Sequence, residues 1–403
     1  MKVLSVIPSY EPAWAFGGTV TATSNLCKGL AKKGIDVTVY TTDADGKGGH
    51  LDVPLNEPID LGGVKVWYFH CDLFPKKAFY SRGLALKLKN TITNFDLIEV
   101  SAMWQWIQIN VKNFCNKNKI PYIIIPHNSL SQYTVNLKKK FHKKIFWELF
   151  IKETVRKSSA LRFLTEEERE LSLNSTLSMP SFIVPNGVDI NKYKNDPKLK
   201  FSLRRSLRIK NNDIVLLFVG RIHPDKNIEL VIKALSRIKQ NIPFVLILIG
   251  PVVDKNYYKF LNRMIDDGKL KNKIKWLHYI PNYEMFKYYS IADMLILISK
   301  FEGLSMASIE ALASGLPILI SKYVSNWKKI EEDNAGIVID LDVEEIYHAL
   351  LKIMEDRNLL LELSHNARKS AEKRYDINKV ADLMIKAYED ILTGRRSPEL
   401  QWM

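Results

Sequence analysis

Short apolar runs alternate with amphipathic stretches along most of the chain. The run KVLSVIP, which ends at Pro8, is followed by a loop with Gly17 and Gly18, by a helical pattern from about Thr21 to Lys33, and by the run DVTVYTT. Strand, helix and strand in this order form a βαβ crossover, which predicts a parallel sheet with helices on its faces. Further strands are predicted at VKVWYF, DLIEV and YIIIPH. The first half of the chain is therefore predicted to be an α/β domain.

The same alternation restarts after the turn-forming pair Asn186 and Gly187, which follows the apolar run FIVP. The charged segment from Lys138 to Glu170, which precedes this run, favours helix. Beyond the turn, strands are predicted at DIVLLFVG, FVLILIG, IKWLHYI, MLILIS and GIVID, and helices at NIELVIKALSRI and MASIEALAS. This pattern predicts a second α/β domain.

The C-terminal part of the chain is predicted to be helical. From about Val343 to Leu392 the pattern is that of amphipathic helices broken near Asp376, and the final residues TGRRSPELQWM are typical of a frayed end. The predicted domains are residues 1–185, residues 186–375, and a crossover helix with a tail over residues 376–403.

The composition is consistent with two cores in one cytoplasmic protein. The chain has 403 residues, of which 46% are hydrophobic, so it contains enough apolar material for two domains. Its longest apolar stretches fall short of the roughly 20 residues that cross a bilayer. The N-terminal run meets Pro8 before it could form the apolar region of an export signal. The three cysteines, Cys27, Cys71 and Cys115, have no metal-ligand spacing and are typical of reduced thiols.

The formal net charge of +15 is concentrated in one part of the chain. Between Lys112 and Lys157 there are eleven Lys or Arg residues against two acids. The stretch LKKKFHKKIFWELFIKETVRK mixes these lysines with apolar residues, which predicts a basic amphipathic helix that docks on an anionic membrane surface. A helix that faces the core and has a solvated basic side explains the same residues. Because no recognition helix, zinc finger or RNA-binding signature accompanies the charge, no nucleic-acid partner is expected.

Two loops of the first half follow predicted strands, where ligands bind in open α/β sheets. Gly17 and Gly18 precede a helix N-terminus, where backbone amides can approach a phosphate. His127 follows the run YIIIP, and its imidazole can donate a hydrogen bond or carry a proton near neutral pH. An ordinary loop turn and a structural histidine are the alternatives. The absence of GxGxxG in the glycine loop disfavours a dinucleotide-dependent oxidoreductase.

Two loops of the second half carry paired charges. Arg221 and Lys226 lie five residues apart in the turn GRIHPDK, where a guanidinium and an ammonium can clamp a diphosphate in place of a metal. Glu302 precedes a predicted helix that begins near Ser305, and Glu310 lies on its second turn. Carboxylates accept hydrogen bonds from sugar hydroxyls, at roughly 1.5 to 3 kcal/mol each. Solvated surface charges are the alternative for both pairs.

In combination these motifs resemble a known family. The GG loop, the strand that ends in PH, the PNGVD turn, the GRxxxxK turn and the E-x7-E block with EALASGLP are similar to the retaining glycosyltransferases of family four, or group 1. The resemblance spans nearly the whole chain. It implies the GT-B fold, in which two Rossmann-like, doubly wound α/β domains face a central cleft and C-terminal helices pack back toward the N-terminal domain.

The resemblance also implies site residues. Arg221 and Lys226 would hold the donor diphosphate, Glu302 would lie beside the transferred sugar, Glu310 would bind the donor ribose, and His127 would touch the donor sugar. Of these, His127, Glu302, Arg221 and Lys226 form the implied catalytic set. The remaining implied donor-binding residues approach through the backbone, and they are Gly17, Gly18, Gly303, Leu304 and Ser305.

The implied reaction takes a sugar from a nucleotide sugar with retention, without a cofactor or a bound metal, onto a glycan or a polyprenyl-diphosphate-linked acceptor in cell-surface polysaccharide assembly. Attack from the front face would leave Glu302 to orient the sugar without acting as a general base. Two departures from the family pattern, Asn128 in PHN and Asn227 in KN, stand where glycine is usual. The alternatives are a nucleotide-sugar epimerase or sugar-phosphate synthase of the same fold, and a basic phosphate- or nucleic-acid-binding module, which the two glutamates disfavour.

Overall fold

The computed structural model describes every residue except 47, 73–78, 102, 132–144, 174–176 and 195. The described chain divides into two compact units. Unit 1 comprises Met1–Gly187 and Ile377–Met403, and unit 2 comprises Val188–Asp376.

Unit 1 is built on an eight-stranded sheet in the order β3-β4-β2-β1-β5-β6-β7-β8. All neighbouring strands are parallel except β3 and β4, which are antiparallel. The strands are β1 (Lys2–Val6), β2 (Asp36–Thr42), β3 (Pro58–Asp60), β4 (Lys65–Phe69), β5 (Leu97–Ser101), β6 (Tyr122–Ile125), β7 (Ala160–Phe163) and β8 (Ser181–Ile183).

Helices cover both faces of this sheet. They are α1 (Gly18–Lys32), α2 (Arg82–Thr91), α3 (Trp106–Asn118), α4 (Lys152–Arg156) and α5 (Glu166–Glu170), with a π-helical turn at Trp147–Ile151 and 3-10 turns at Trp14–Phe16 and Ile92–Asn94. Successive side chains of a strand point to opposite faces of the sheet, so each strand contributes to two cores. Val3 packs with α1 on one face, and Leu4 packs with α2 and α3 on the other. Because both faces are covered, the central strands β1, β2, β5, β6 and β7 are buried at almost every position.

Unit 2 has a six-stranded parallel sheet in the order β11-β10-β9-β12-β13-β14. This is the doubly wound order 3-2-1-4-5-6, whose switch point lies between β9 and β12. The strands are β9 (Ile214–Val219), β10 (Phe244–Ile249), β11 (Ile274–Leu277), β12 (Met294–Leu297), β13 (Ile318–Ser321) and β14 (Gly336–Ile339). The two parallel α/β domains predicted from the sequence are thus confirmed.

The described part of unit 2 has eight helices, and those over Ile228–Ser236, Lys255–Asp267, Val343–Glu355 and Arg357–Arg374 share one apolar core with the sheet. The eight helices are α6 (Pro197–Ser206), α7 (Ile228–Ser236), α8 (Lys255–Asp267), α9 (Met285–Ile291), α10 (Met306–Ala313), α11 (Trp327–Glu332), α12 (Val343–Glu355) and α13 (Arg357–Arg374), with 3-10 turns at Ile190–Tyr193, Pro224–Lys226 and Asn282–Glu284.

The C-terminal helix α14 (Ile377–Thr393) belongs to unit 1 and packs against α1. A Cβ on Gly29 of α1 would lie 2.8 Å from Ile377 Cγ1, so a larger residue there would push the two helices apart. Lys33 and Asp382 form an ion pair across the same contact, at 2.8 Å. The predicted return of the C-terminal helix to the N-terminal domain is confirmed, as is the helix break at Asp376.

Two sequence expectations differ from the structure. The charged segment 138–170 is not helical throughout, because β7 interrupts it at Ala160–Phe163 and all four of its residues are buried; residues 138–144 lie outside the described part of the chain. The final residues are not frayed. Leu400 is fully buried, and Ser181 and Met403 exchange backbone hydrogen bonds of 3.0 and 2.9 Å, so the tail is anchored beside β8.

No helix in the described part of the chain is both long and apolar enough to span a membrane.

Candidate functional site

The switch point of unit 2 brings together the loops that follow β9 and β12. Lys300 N–H donates to Asp225 O at 2.8 Å, which joins the turn after β9 to the segment after β12. Close packing also requires glycine here. Gly250 has φ +146°, and a Cβ on it would lie 1.9 Å from Gly220 O, so a side chain at Gly250 would displace the β9 loop.

Lys226 lies at the end of the 3-10 turn Pro224–Lys226 and pairs with Glu302. Its Nζ is 2.7 Å from Glu302 Oε2, and the hydroxyl of Ser299 donates to the same carboxylate oxygen at 2.8 Å. The side chains of Lys226 and Glu302 are only 11% and 22% exposed. A largely buried ammonium with three donors, paired with a carboxylate, therefore lies at the switch point.

Asn227 occupies the position after Lys226 in the left-handed conformation, with φ 51° and ψ 36°, and is buried. Asparagine tolerates this conformation better than other residues with a Cβ, which explains how it can replace the glycine usual in the family. The departure therefore leaves the backbone path of the turn intact and keeps Lys226 in place.

Arg221 is exposed, and its guanidinium makes no hydrogen bond or ion pair with any described residue. Its backbone follows Gly220 at the end of β9, so it stands on the same turn as Lys226. The structure thus places both predicted cations at one strand end, with Lys226 fixed and Arg221 available to a ligand.

The backbone of Glu302 is fixed by the loop after β13. Glu302 N–H donates to Tyr323 O at 3.1 Å, and Ser325 N–H donates to Glu302 O at 2.9 Å. Gly303, Leu304 and Ser305 then lead into α10, with Ser305 at its N-cap. The start of α10 therefore lies directly after the Glu302 carboxylate, where the positive end of the helix dipole favours an anion.

Glu310 lies within α10 and is 6% exposed. Its Oε2 accepts a hydrogen bond of 2.8 Å from the Tyr289 hydroxyl, and Tyr193, whose ring centroid is 6.2 Å from that of Tyr289, lies beside the same carboxyl group. Burial raises the pKa of Glu310, and the two hydroxyls oppose that effect. The structure thus separates the partners of the two glutamates: Glu302 pairs with Lys226, whereas Glu310 pairs with tyrosines. The sequence carried no signal for either tyrosine.

In unit 1, Gly17 forms the N-cap of α1 with φ 81° and ψ −145°, and Gly18 is the first residue of the helix. This backbone conformation is almost restricted to glycine, although a Cβ at Gly17 would meet no atom within 4 Å. Conformation, not lack of space, therefore requires glycine at this position. Both glycines are exposed.

His127 and Asn128 follow β6 with φ angles of 48° and 64°. The His127 Nε2 is buried and has no hydrogen-bond partner in the described part of the chain. Burial, together with the nearby charge of Arg162, lowers the pKa of His127 to about 3. The imidazole is therefore neutral near pH 7, and its buried Nε2 is available for a hydrogen bond; whether His127 also carries a proton stays a prediction.

Glu168 holds this turn in place, a role that the sequence reading missed. Its carboxylate accepts hydrogen bonds from Asn128 N–H and, at 2.8 Å, from Leu164 N–H, while its own N–H donates to Thr165 Oγ1 at 3.0 Å. The spacing of Thr165 and Glu168 is that of a helix capping box, which could have identified the pair but not the contact with Asn128.

Comparisons with known proteins agree with this architecture. Residues 16–192 match the family model described as Glycosyltransferase Family 4, and residues 200–374 match the one described as Glycosyl transferases group 1. An uncharacterized glycosyltransferase of Methanocaldococcus jannaschii is 23% identical over 402 residues, covering 96% of this chain and 98% of the relative.

Two further comparisons cover a specific enzyme and a solved structure. The UDP-Gal:alpha-D-GlcNAc-diphosphoundecaprenol alpha-1,3-galactosyltransferase of Escherichia coli is 28% identical over 248 residues, which is 58% of this chain and 60% of that enzyme. The crystal structure of Anabaena HepE in complex with UDP and glucose is similar with a TM-score of 0.77 and 19% identity, over 97% of this chain and 100% of that one. The chain therefore belongs to the group 1 glycosyltransferases, which are enzymes of the GT-B fold that use nucleotide sugars.

Proposed function

We propose that this enzyme transfers a sugar, with retention of configuration and without a metal at the donor site, from a nucleoside-diphosphate sugar to a lipid-linked glycan. The observation that carries the proposal is the pairing of Lys226 Nζ with Glu302 Oε2 at 2.7 Å, at the switch point of unit 2. Nucleotides bind at such switch points in doubly wound folds. A relative of the same fold is solved with UDP and glucose, which supports a uridine nucleotide as the first donor to test.

In this proposal Lys226 and Arg221 hold the diphosphate. The ammonium of Lys226 has three donors, of which one reaches Glu302 and a second approaches Ser299 Oγ at 3.4 Å. The third remains for a phosphate oxygen. Arg221, free of partners among the described residues, supplies a second cation on the same turn. Together they stabilise the negative charge that develops on the leaving diphosphate.

Glu302 orients the transferred sugar. Its carboxylate already accepts hydrogen bonds from Lys226 and Ser299 on one oxygen, which leaves the second oxygen for sugar hydroxyls. In the transfer step the acceptor oxygen bonds to the anomeric carbon, the bond from that carbon to the phosphate oxygen breaks, and the acceptor proton passes to the departing phosphate. Glu302 takes no proton in this scheme.

Glu310 would bind the donor ribose through Oε1, since Tyr289 bonds to Oε2. Because Tyr289 bonds to this group and Tyr193 packs beside it, the two tyrosines would set its orientation and so act as positioning residues. The roles of Gly17, Gly18 and His127 in donor binding stay predictions.

A lipid-linked acceptor is supported by the Escherichia coli relative, whose name specifies a diphosphoundecaprenol-linked substrate. Such acceptors lie in the membrane, so we further propose that the enzyme works at the inner face of the cell membrane. The described part of the basic segment is consistent with this, because Ile145 and Leu149 are 41% and 62% exposed, and the 37% exposed Trp106 packs against the neighbouring Phe146 and Phe150.

The first test is the thermal shift produced by UDP and UDP-sugars with chelator present, each measured against the chelator-only baseline. We expect at least one uridine nucleotide to stabilise the wild type and Lys226→Ala to lose most of that shift, because the variant removes a charged hydrogen-bond donor to the diphosphate. Lys233→Ala, which removes an exposed charge from the adjacent helix α7, is the matched control and should respond like the wild type.

The proposed donor site is wrong if no nucleotide shifts the wild type, or if Lys226→Ala responds as strongly as the control. Analysis of the products formed from the stabilising donor then separates the alternatives. A new glycosidic bond on a lipid-linked acceptor supports transfer. An isomerised nucleotide sugar would identify an epimerase, and a phosphorylated disaccharide would identify a synthase.

A further inference from the structure

A cluster of two histidines and an aspartate lies in unit 1, where β2 and β4 end. Asp43 follows β2, His70 follows β4, and His50 lies on the turn after Asp43. His50 Nδ1 is 2.9 Å from Asp43 Oδ1, and His70 Nδ1 is 3.0 Å from Asp43 Oδ2. One nitrogen of each ring and the carboxylate all lie within 4.8 Å of one another. Among the described residues, no other group of three His, Cys, Asp or Glu side chains converges in this way.

The buried carboxylate of Asp43 is held in place by the backbone that follows β4. Asp43 has a side chain only 3% exposed, and its Oδ1 accepts a hydrogen bond of 2.8 Å from Cys71 N–H. Asp43 N–H in turn donates to Phe69 O at 3.0 Å, so the two strand ends are joined by backbone and side chain together. His70 stands between Phe69 and Cys71 and is therefore held beside Asp43 by the pairing of the strands.

His50 is brought back to Asp43 by a closed turn. Leu51 N–H donates to Asp43 O at 2.6 Å, and Ala44 and His50 form an antiparallel bridge. Within the turn, Asp45 Oδ1 accepts a hydrogen bond of 2.9 Å from Gly49 N–H. The two imidazole rings then stack with centroids 4.6 Å apart and planes inclined by 26°. The backbone thus places three potential ligands before any ion is present.

We propose that Asp43, His50 and His70 bind a divalent transition metal of the Zn²⁺ type. Two imidazoles and one carboxylate are ligands that suit zinc and its neighbours in the first row, whereas Mg²⁺ and Ca²⁺ prefer oxygen ligands throughout. Ligand atoms in a tetrahedral zinc site lie about 3.3 Å apart, given metal–ligand distances of about 2.0 Å. The two nitrogen–oxygen distances here, 2.9 and 3.0 Å, are slightly shorter and involve different oxygens of Asp43, and one ligand atom from each of the three residues lies within 4.8 Å of the other two.

The site is open to the ion from solvent. The side chains of His50 and His70 are 40% and 56% exposed, whereas that of Asp43 is only 3% exposed. Metal binding requires each Nδ1 without its proton, so the ring proton moves to Nε2. Three protein ligands leave one tetrahedral position to water. Without metal, the same atoms form two hydrogen bonds from Nδ1–H to the carboxylate, and the experiment below separates the two states.

The ion would stabilise the loops at this end of the unit 1 sheet. A Cβ on Gly46, in the turn that carries His50, would lie 3.0 Å from Ala15 Cβ and 3.2 Å from the Phe16 ring. The turn therefore packs directly against the segment that precedes Gly17. The metal takes no part in the proposed transfer step, so this inference and the donor-site proposal can fail independently.

The test is a calorimetric titration of the metal-stripped full chain, without a histidine tag, with Zn²⁺ and separately with Co²⁺. We expect one ion per chain, and an affinity at least about 10-fold weaker in His50→Ala and in His70→Ala. His365→Ala, which removes an exposed histidine from unit 2, is the matched control and should bind like the wild type. Bound Co²⁺ should also give visible absorption that both site variants lose.

Because His50 and His70 are exposed, their replacement leaves the core untouched, and circular dichroism verifies that the variants are folded. Failure of the wild type to bind one ion per chain would overturn the proposal. So would binding that His50→Ala and His70→Ala leave unchanged, since the ion would then lie elsewhere.

Discussion

At the scale of single residues, the two departures from the family pattern both lie at left-handed backbone positions. Asn128 and Asn227 stand where glycine is usual, and both have positive φ. Asparagine is the side-chain-bearing residue that adopts this conformation most readily. The sequence identified the two substitutions, but only the dihedral angles explain why they preserve the turns.

Replacement of Asn227 tests this explanation. We expect Asn227→Ala to lower the free energy of unfolding by about 1 to 2 kcal/mol relative to Asn227→Gly, because alanine is strained where φ is 51° and glycine is not. Equilibrium urea unfolding of both variants measures the difference, and the pair controls for loss of the same amide. Equal unfolding midpoints would show that the left-handed backbone is not what restricts this position.

At the scale of elements, the C-terminal tail is part of unit 1. Leu400 is fully buried, and Trp402 Nε1 donates to Asp390 Oδ2 at 2.8 Å while its ring lies 5.0 Å from that of Phe182. Asp390 also accepts hydrogen bonds from Ser397 at 2.7 and 2.8 Å. One carboxylate at the end of α14 therefore fixes the tail beside β8.

Leu400→Ala tests whether the tail stabilises the fold. We expect a loss of about 2 to 4 kcal/mol, because the substitution leaves a cavity at a fully buried position. Leu392→Ala is the matched control: this leucine is 43% exposed on α14, and its loss should cost less than about 1 kcal/mol. Urea unfolding with a probe in unit 1 measures both. A frayed tail would make the two variants equally stable.

At the scale of the whole molecule, the net charge of +15 is the property that bears most on partners. Of the eleven cations between Lys112 and Lys157, five lie within residues 132–144, which are outside the described part of the chain. Next to them, the described side chains of Ile145 and Leu149 are exposed. Cations beside exposed apolar groups suit an anionic membrane surface, as proposed for the acceptor.

Vesicle binding tests this surface. The wild type should bind vesicles with anionic lipid at low salt, and the triple variant Lys138→Glu, Lys139→Glu, Lys140→Glu should bind at least about 10-fold more weakly, since each lysine contributes about 1 kcal/mol. A triple variant with Lys255, Lys259 and Lys271 changed to Glu carries the same charge on exposed sites of unit 2 and is the control. The membrane proposal would be contradicted if the wild type did not bind anionic vesicles. It would also be contradicted if the control variant lost as much binding as the Lys138→Glu, Lys139→Glu, Lys140→Glu variant.

The sequence alone determined the two α/β domains, most of their strands and the positions of the charged loops. This was possible because buried parallel strands are continuous apolar runs, and because ligand-binding loops follow them. Strand β7 was not predicted, because the charged Arg162 interrupts its short apolar run. Inside the fold that arginine donates to Val184 O at 3.0 Å and Pro185 O at 2.7 Å, so a charge that looked exposed is buried.

Only the tertiary structure decided which side chains meet. The sequence placed Glu302 and Glu310 near the start of one helix, and the fold adds their partners: Lys226, 76 residues away, for Glu302 and Tyr289 for Glu310. The fold likewise joined Asp43 to His50 and His70 across two strand ends, a cluster without any local spacing signal. Strand order fixes such contacts, and the order follows from the packing of whole helices and strands. Local sequence therefore determined the elements, and long-range packing determined the sites.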